Sequence, residues 1–257
     1  MVELLIWPAL FAYGEAAVAY VGELRGPGRS GRLATWGVRL GWVAQTALLA
    51  AQAVDAEGFP WATWAGALNL FVWLVVGAYL IWGCRPRFRL LGLAVMPPAV
   101  VLLALAWAGG GAGVDTGPRP GALLALHVGL MLAGLAGLTL AAGMAALYLW
   151  QERRLKRRDR GLLRVGVPSL DSLDSLAART MLVALCLLAG GIAFGLARIG
   201  ANGFDAAMGV SFAIVFVNAL ALVLRWEAGW RGRRAALAAV ACYPLVAVVL
   251  PLTHFAS

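Results

Sequence analysis

Residues 121–156 read GALLALHVGLMLAGLAGLTLAAGMAALYLWQERRLK. Thirty-one residues pass without a formal charge, and then Glu152 opens a mainly basic cluster. A helix needs only about 20 apolar residues to cross a hydrocarbon core of about 30 Å. The stretch therefore spells a membrane-crossing helix that runs on past one membrane surface or tilts. The basic residues that follow it, Arg153, Arg154 and Lys156, mark that surface as the inner one, because basic residues stay on the cytoplasmic side.

Working outward, the same pattern recurs. Apolar runs occupy about 2–22, 36–54, 62–82, 90–108, 121–150, 177–198, 208–226 and 235–255. The chain accordingly predicts an all-α fold, a polytopic integral membrane helix bundle of about eight transmembrane helices forming one domain. Composition agrees: 62% of the 257 residues are apolar and 13% charged, against about 25% charged in soluble domains. A soluble fold has too little interior to hide that surplus.

Charge is distributed by connection. The inner ones hold Arg25, Arg29 and Arg32, then Arg85, Arg87 and Arg89, then QERRLKRRDRGLLR, then RWEAGWRGRR. Those between are acidic or neutral: DAEGFP, GGGAGVDTGPRP and IGANGFD. Of 21 basic residues, only Arg119 and Arg198 fall on the outer side, which predicts both termini outside and a bacterial plasma (inner) membrane. The first residues lack a basic n-region, so no cleavable leader is expected. The net charge of +9 is spent on topology and points to a lipid bilayer, not to nucleic acid.

One inner loop has length. Residues 151–176 form a basic cytoplasmic segment, an interface anchor or a docking site for a cytoplasmic partner. Within it Pro168 breaks the chain, and Ser169, Asp171 or Ser172 is offered as N-cap of an amphipathic lead-in to the sixth span.

Few residues carry chemistry. There are two histidines: His127, about two turns into the fifth span, and His254, at the end of the eighth. Both fall near the outer leaflet, where two imidazoles on different helices at one depth can ligate one haem iron. His127 alone can equally be an interhelical hydrogen-bonding group, and His254 can lie in water. Met131, one turn from His127, reads as packing. Glu15 is the one acid well inside a run and reads as a hydrogen-bonding partner of a neighbouring helix before it reads as a transport site. Arg119 or Arg198 can pair a carboxylate, with Asn202 and Asp205 beside the sixth connection. Trp61, Trp64 and Trp107 mark outer span ends. Cys84, Cys186 and Cys242 form no CxxC pair and read as apolar filler. No triad, phosphate loop or metal cluster is spelled out, so enzymatic catalysis by side chains is not expected.

Three stretches resemble the cytochrome c assembly protein family (CcsA- and CcmC-like), nearest its shorter, HemX-like eight-span branch. They are ALHVGLMLAGLAGLTLAAGMAALYLWQERRLK, VPSLDSLDSLAARTMLVAL and EAGWRGRRAAL, which contain His127, Tyr148 to Lys156, Pro168 to Asp174 and Gly229 to Arg233. The resemblance covers roughly residues 120–257, and the first half by span count. It implies one b-type, non-covalent haem held at the outer face between His127 and His254, which flank the connection 199–208. Arg198 and Asp205 are then expected at the haem, and other membrane subunits of cytochrome c maturation are expected as partners. The family's tryptophan-rich external segment is missing: RIGANGFDAAMG holds no tryptophan, and only Asp205 matches that pattern. That departure favours a haem-binding accessory, with a non-haem scaffold subunit and then a small-molecule transporter as alternatives.

Overall fold

The computed structural model describes residues 2–23, 28–55, 63–83, 88, 90–113, 121–158, 168–197 and 206–249. Among them there are eight α-helices and no strand. They are α1 (Ile6–Glu23, preceded by a 3-10 turn, Val2–Leu5), α2 (Arg29–Asp55), α3 (Trp64–Gly83), α4 (Leu91–Ala108), α5 (Ala122–Lys156), α6 (Leu170–Leu196), α7 (Ala206–Glu227) and α8 (Arg233–Pro244). The polytopic helix bundle is thus the observed class. By length and composition, six of these helices can cross a membrane; α2 and α8 fall short on their described residues.

The helices outrun the apolar runs at the basic ends. α2 begins at Arg29 and not at residue 36, because arginine is a good helix former and its stem can lie along apolar surface. α5 continues to Lys156, giving 35 residues and about 52 Å of helix, longer than the hydrocarbon core. α6 starts at Leu170, where the Ser169 side chain accepts from the Ser172 backbone N–H at 3.1 Å. Of the three N-cap candidates, Ser169 does the capping.

The chain divides into two compact units. In the first, α1 packs on α2 and α4, and α3 on α2 and α4, closing a ring of four. Where no water is available, helices associate through close packing and hydrogen bonds. Gly37 and Gly41 give the close approach: a Cβ on Gly37 would lie 2.9 Å from the Ala12 carbonyl oxygen, and one on Gly41 2.5 Å from the Tyr13 ring. The hydrogen bonds form a buried chain. The Tyr13 hydroxyl donates to Gln45 Oε1 (2.9 Å), and Gln45 Nε2 donates to Asn69 Oδ1 (2.8 Å). Asn69 Nδ2 then donates to the Gly111 carbonyl (3.1 Å), which Gln52 Nε2 also reaches (3.1 Å). Thus side chains of α2 and α3 bind the turn that follows α4. Trp42 and Trp73 stack at 5.2 Å, and each indole N–H finds an acceptor across α2 and α3.

In the second unit α5 packs on α6 and α8, and α7 on α6 and α8, a ring of the same connectivity. The α5–α6 contact is again built on small residues, with Gly134 against Leu188 and Gly137 against Ala184. α8 ends at Pro244, whose missing N–H disrupts the ladder; the chain continues as a π-helical turn, Leu245–Val249.

Candidate functional site

His127 lies in the first turns of α5 and faces α6. Its position follows from two glycines one turn apart on α6. A Cβ on Gly195 would fall 2.8 Å from the imidazole, and one on Gly191 would fall 2.9 Å from Met131 Sδ. The His127 and Met131 side chains therefore seat on bare backbone, and a side chain at Gly195 or Gly191 would make them shift. Met131 packs there, as its position one turn from His127 suggests.

The imidazole is oriented as well as seated. His127 Nδ1 is 2.7 Å from the Gly191 carbonyl oxygen. A carbonyl only accepts, so Nδ1 carries the proton, and the neutral ring keeps its lone pair on Nε2. Among the described residues nothing hydrogen-bonds Nε2, and the residue is only half-buried. A backbone carbonyl on the distal nitrogen is the usual way to fix the tautomer and plane of a metal-binding histidine. The arrangement fits one axial ligand of a haem iron. Among the described residues no three His, Cys, Asp or Glu side chains come together.

His254, Arg198 and Asp205, with Trp61, Arg119, Asn202 and Cys84, lie outside the described residues. Trp64 and Trp107, at ends of α3 and α4, are both partly exposed; Trp107 meets Trp7 edge-on at 4.8 Å. Cys186 is exposed on α6 and so is not buried filler, because it falls on the helix face with Leu182 and Val183, which also point outward.

A second cluster lies toward the opposite end of α5 from His127. The Asp174 carboxylate takes both Arg225 amino groups, at 2.9 and 2.7 Å, and the Gly232 backbone N–H at 3.0 Å. The two side chains are only 10% and 12% exposed. Gly232 has φ of +64°, and a Cβ there would stand 2.7 Å from the Tyr148 hydroxyl oxygen. Here Tyr148, Asp174 and Gly232 bring together the three stretches that carry the family resemblance. The sequence marks these stretches but does not pair Asp174 with Arg225. The available signal was an acid in a basic loop at the same membrane surface as an arginine.

A family model described as Cytochrome C assembly protein matches residues 61–256. The match takes in α3 to α8, well beyond the stretch from residue 120 onward. No curated protein and no solved structure matches.

Proposed function

The chain belongs to the cytochrome c assembly protein family, which gives it a role in cytochrome c biogenesis, and from that premise we propose that it is a haem-handling membrane protein. It holds one b-type haem near the outer leaflet of a bacterial plasma membrane. His127 and His254 would hold its iron, and Arg198 would pair a propionate, with Asp205 as a further polar contact. The observation that carries this reading is the His127 Nδ1 bond to the Gly191 carbonyl, which puts the proton on Nδ1 and the lone pair that can bind iron on Nε2.

The haem, when bound, supplies the iron and the group to be presented to an apocytochrome. The protein's work is positioning. Gly195 and Gly191 set the ring against α6, and the Gly191 carbonyl holds the proton at Nδ1. The apolar wall of α5 and α6 excludes water from the side of the imidazole that faces them. Both termini lie outside by the charge pattern, and other membrane subunits of the maturation machinery complete the task. A non-haem scaffold subunit is the second reading, favoured by the absence of tryptophan from RIGANGFDAAMG.

The test is an absorption spectrum of detergent-purified protein, oxidised and dithionite-reduced, beside His127→Ala and His254→Ala. A Soret band with sharp reduced α and β bands, lost or shifted in both variants, supports the haem reading. A folded, colourless protein that takes up no added haemin leaves the scaffold.

A further inference from the structure

Glu15 stands in the middle of α1, about 13 Å along the axis from either end of the helix. It is exposed, on the stripe that carries Phe11 and Val18, themselves 71% and 74% exposed. Among the described residues it forms no hydrogen bond or ion pair, so the expected bond to a neighbouring helix is absent. The reason is rotational: Tyr13 and Ala16 take the inward face, which turns Glu15 away from it. Acidic groups inside spans nearly always face the bundle interior or a charge partner, because lipid solvates neither form well. An outward Glu15 calls for something to cover it.

A basic group lies at its level. Gly41 meets Tyr13 and Gly37 meets Ala16, which fixes the register of the α1–α2 pair and sets Glu15 level with Val38. Arg39 follows by one residue, about 1.5 Å along the axis. Its guanidinium rests 5.3 Å from the centre of the Trp36 ring and makes no ion pair among the described residues. Glu15 and Arg39 do not meet within the chain. Arg39 is turned about 60° round α2 from Trp36, toward the side where Trp42 and Thr46 contact α3. Between the two charges runs the outward stripe of Trp36, Leu40 and Val43, exposed by 59%, 61% and 60%.

We propose that this face of α1 and α2 binds a second copy of the chain about a two-fold axis along the membrane normal, Glu15 of each copy pairing with Arg39 of the other. Such an axis preserves depth, so groups at one level in one copy meet groups at that level in the next. An isologous contact needs both members of each pair on one surface, which is what this face offers. Two charge-assisted bonds form, and the apolar stripe between them is covered. A foreign helix bearing one cation would satisfy Glu15 and leave Arg39 unpaired. A second copy satisfies both.

The experiment counts copies. The full chain, fluorescently labelled, is reconstituted in liposomes over a range of protein-to-lipid ratios and scored by single-molecule photobleaching. The natural chain gives two steps. Glu15→Ala, and separately Glu15→Arg and Arg39→Glu, each weaken the dimer by about tenfold or more. Glu15→Arg mixed with Arg39→Glu restores it, because each junction again holds one acid and one base. A natural chain that is monomeric at every ratio overturns the proposal. So do single variants that dimerise normally, or a mixture that fails to restore pairing.

Discussion

The Gly191 carbonyl oxygen and His127 Nδ1 stand 2.7 Å apart, one turn along α6 from the glycine that faces the imidazole ring. Gly195→Ala leaves both histidines in place but puts a methyl group 2.8 Å from that ring. The side chain must shift and its bond to α6 must lengthen. Haemin affinity is expected to fall by roughly tenfold or more, as when an outer partner of a metal-binding histidine is lost. Haemin titration of the variant followed at the Soret band measures this, and an unchanged affinity would detach the ligand role from His127.

At the other cluster, Asp174→Asn removes one side of a nearly buried bidentate pair and leaves the Arg225 guanidinium without its counter-charge. Breaking such a pair costs about 3 kcal/mol. The loss is read as a shift in SDS-induced unfolding of the detergent-solubilised protein. Replacing both partners by apolar residues of similar size should cost less than Asp174→Asn alone, since no charge is then stranded.

Gly232→Ala meets two obstacles together, the positive φ and the Tyr148 hydroxyl. The backbone strain alone is worth about 2 kcal/mol. Tyr148→Phe in the same chain removes the contact with the hydroxyl and not the strain. The double variant should therefore recover part of the lost stability in the same unfolding assay.

In the first unit, Gln45→Leu strands the Tyr13 hydroxyl and Asn69 Oδ1 in an apolar interior. The expected cost is about 2 kcal/mol. Tyr13→Phe leaves Gln45 Nε2 bonded to Asn69 and strands one buried atom, Gln45 Oε1, so it should cost less, about 1 kcal/mol. Unfolding titrations of the two variants side by side test the ordering.

How far the sequence discloses this structure varies by element. The spans are plain, because lipid forces each crossing to be a long apolar helix. Their basic ends are not, since nothing in hydropathy says that Arg29 or Lys156 remains helical. Ser169 appears among three candidate caps and only the backbone geometry chooses it. His127 announces itself as an ionisable group within a span. Its tautomer does not, because a main-chain carbonyl 64 residues away has no sequence signature. Asp174 and Arg225 are 51 residues apart, and each taken alone reads as loop charge or topology signal. Glu15 is conspicuous in the sequence, yet the direction it faces depends on which side of α1 the glycines of α2 approach.

α5 is one unbroken helix from Ala122 to Lys156, and that continuity makes it a depth gauge. His127 and Tyr148 are separated by about 32 Å along its axis, close to the hydrocarbon thickness. Whichever way the helix is threaded, setting the Tyr148–Asp174–Arg225 cluster at one lipid boundary delivers the His127 imidazole to the other. Lengthening or shortening α5 by one turn between these residues would lift the imidazole out of its boundary or sink it beneath, with every side chain at both ends unchanged.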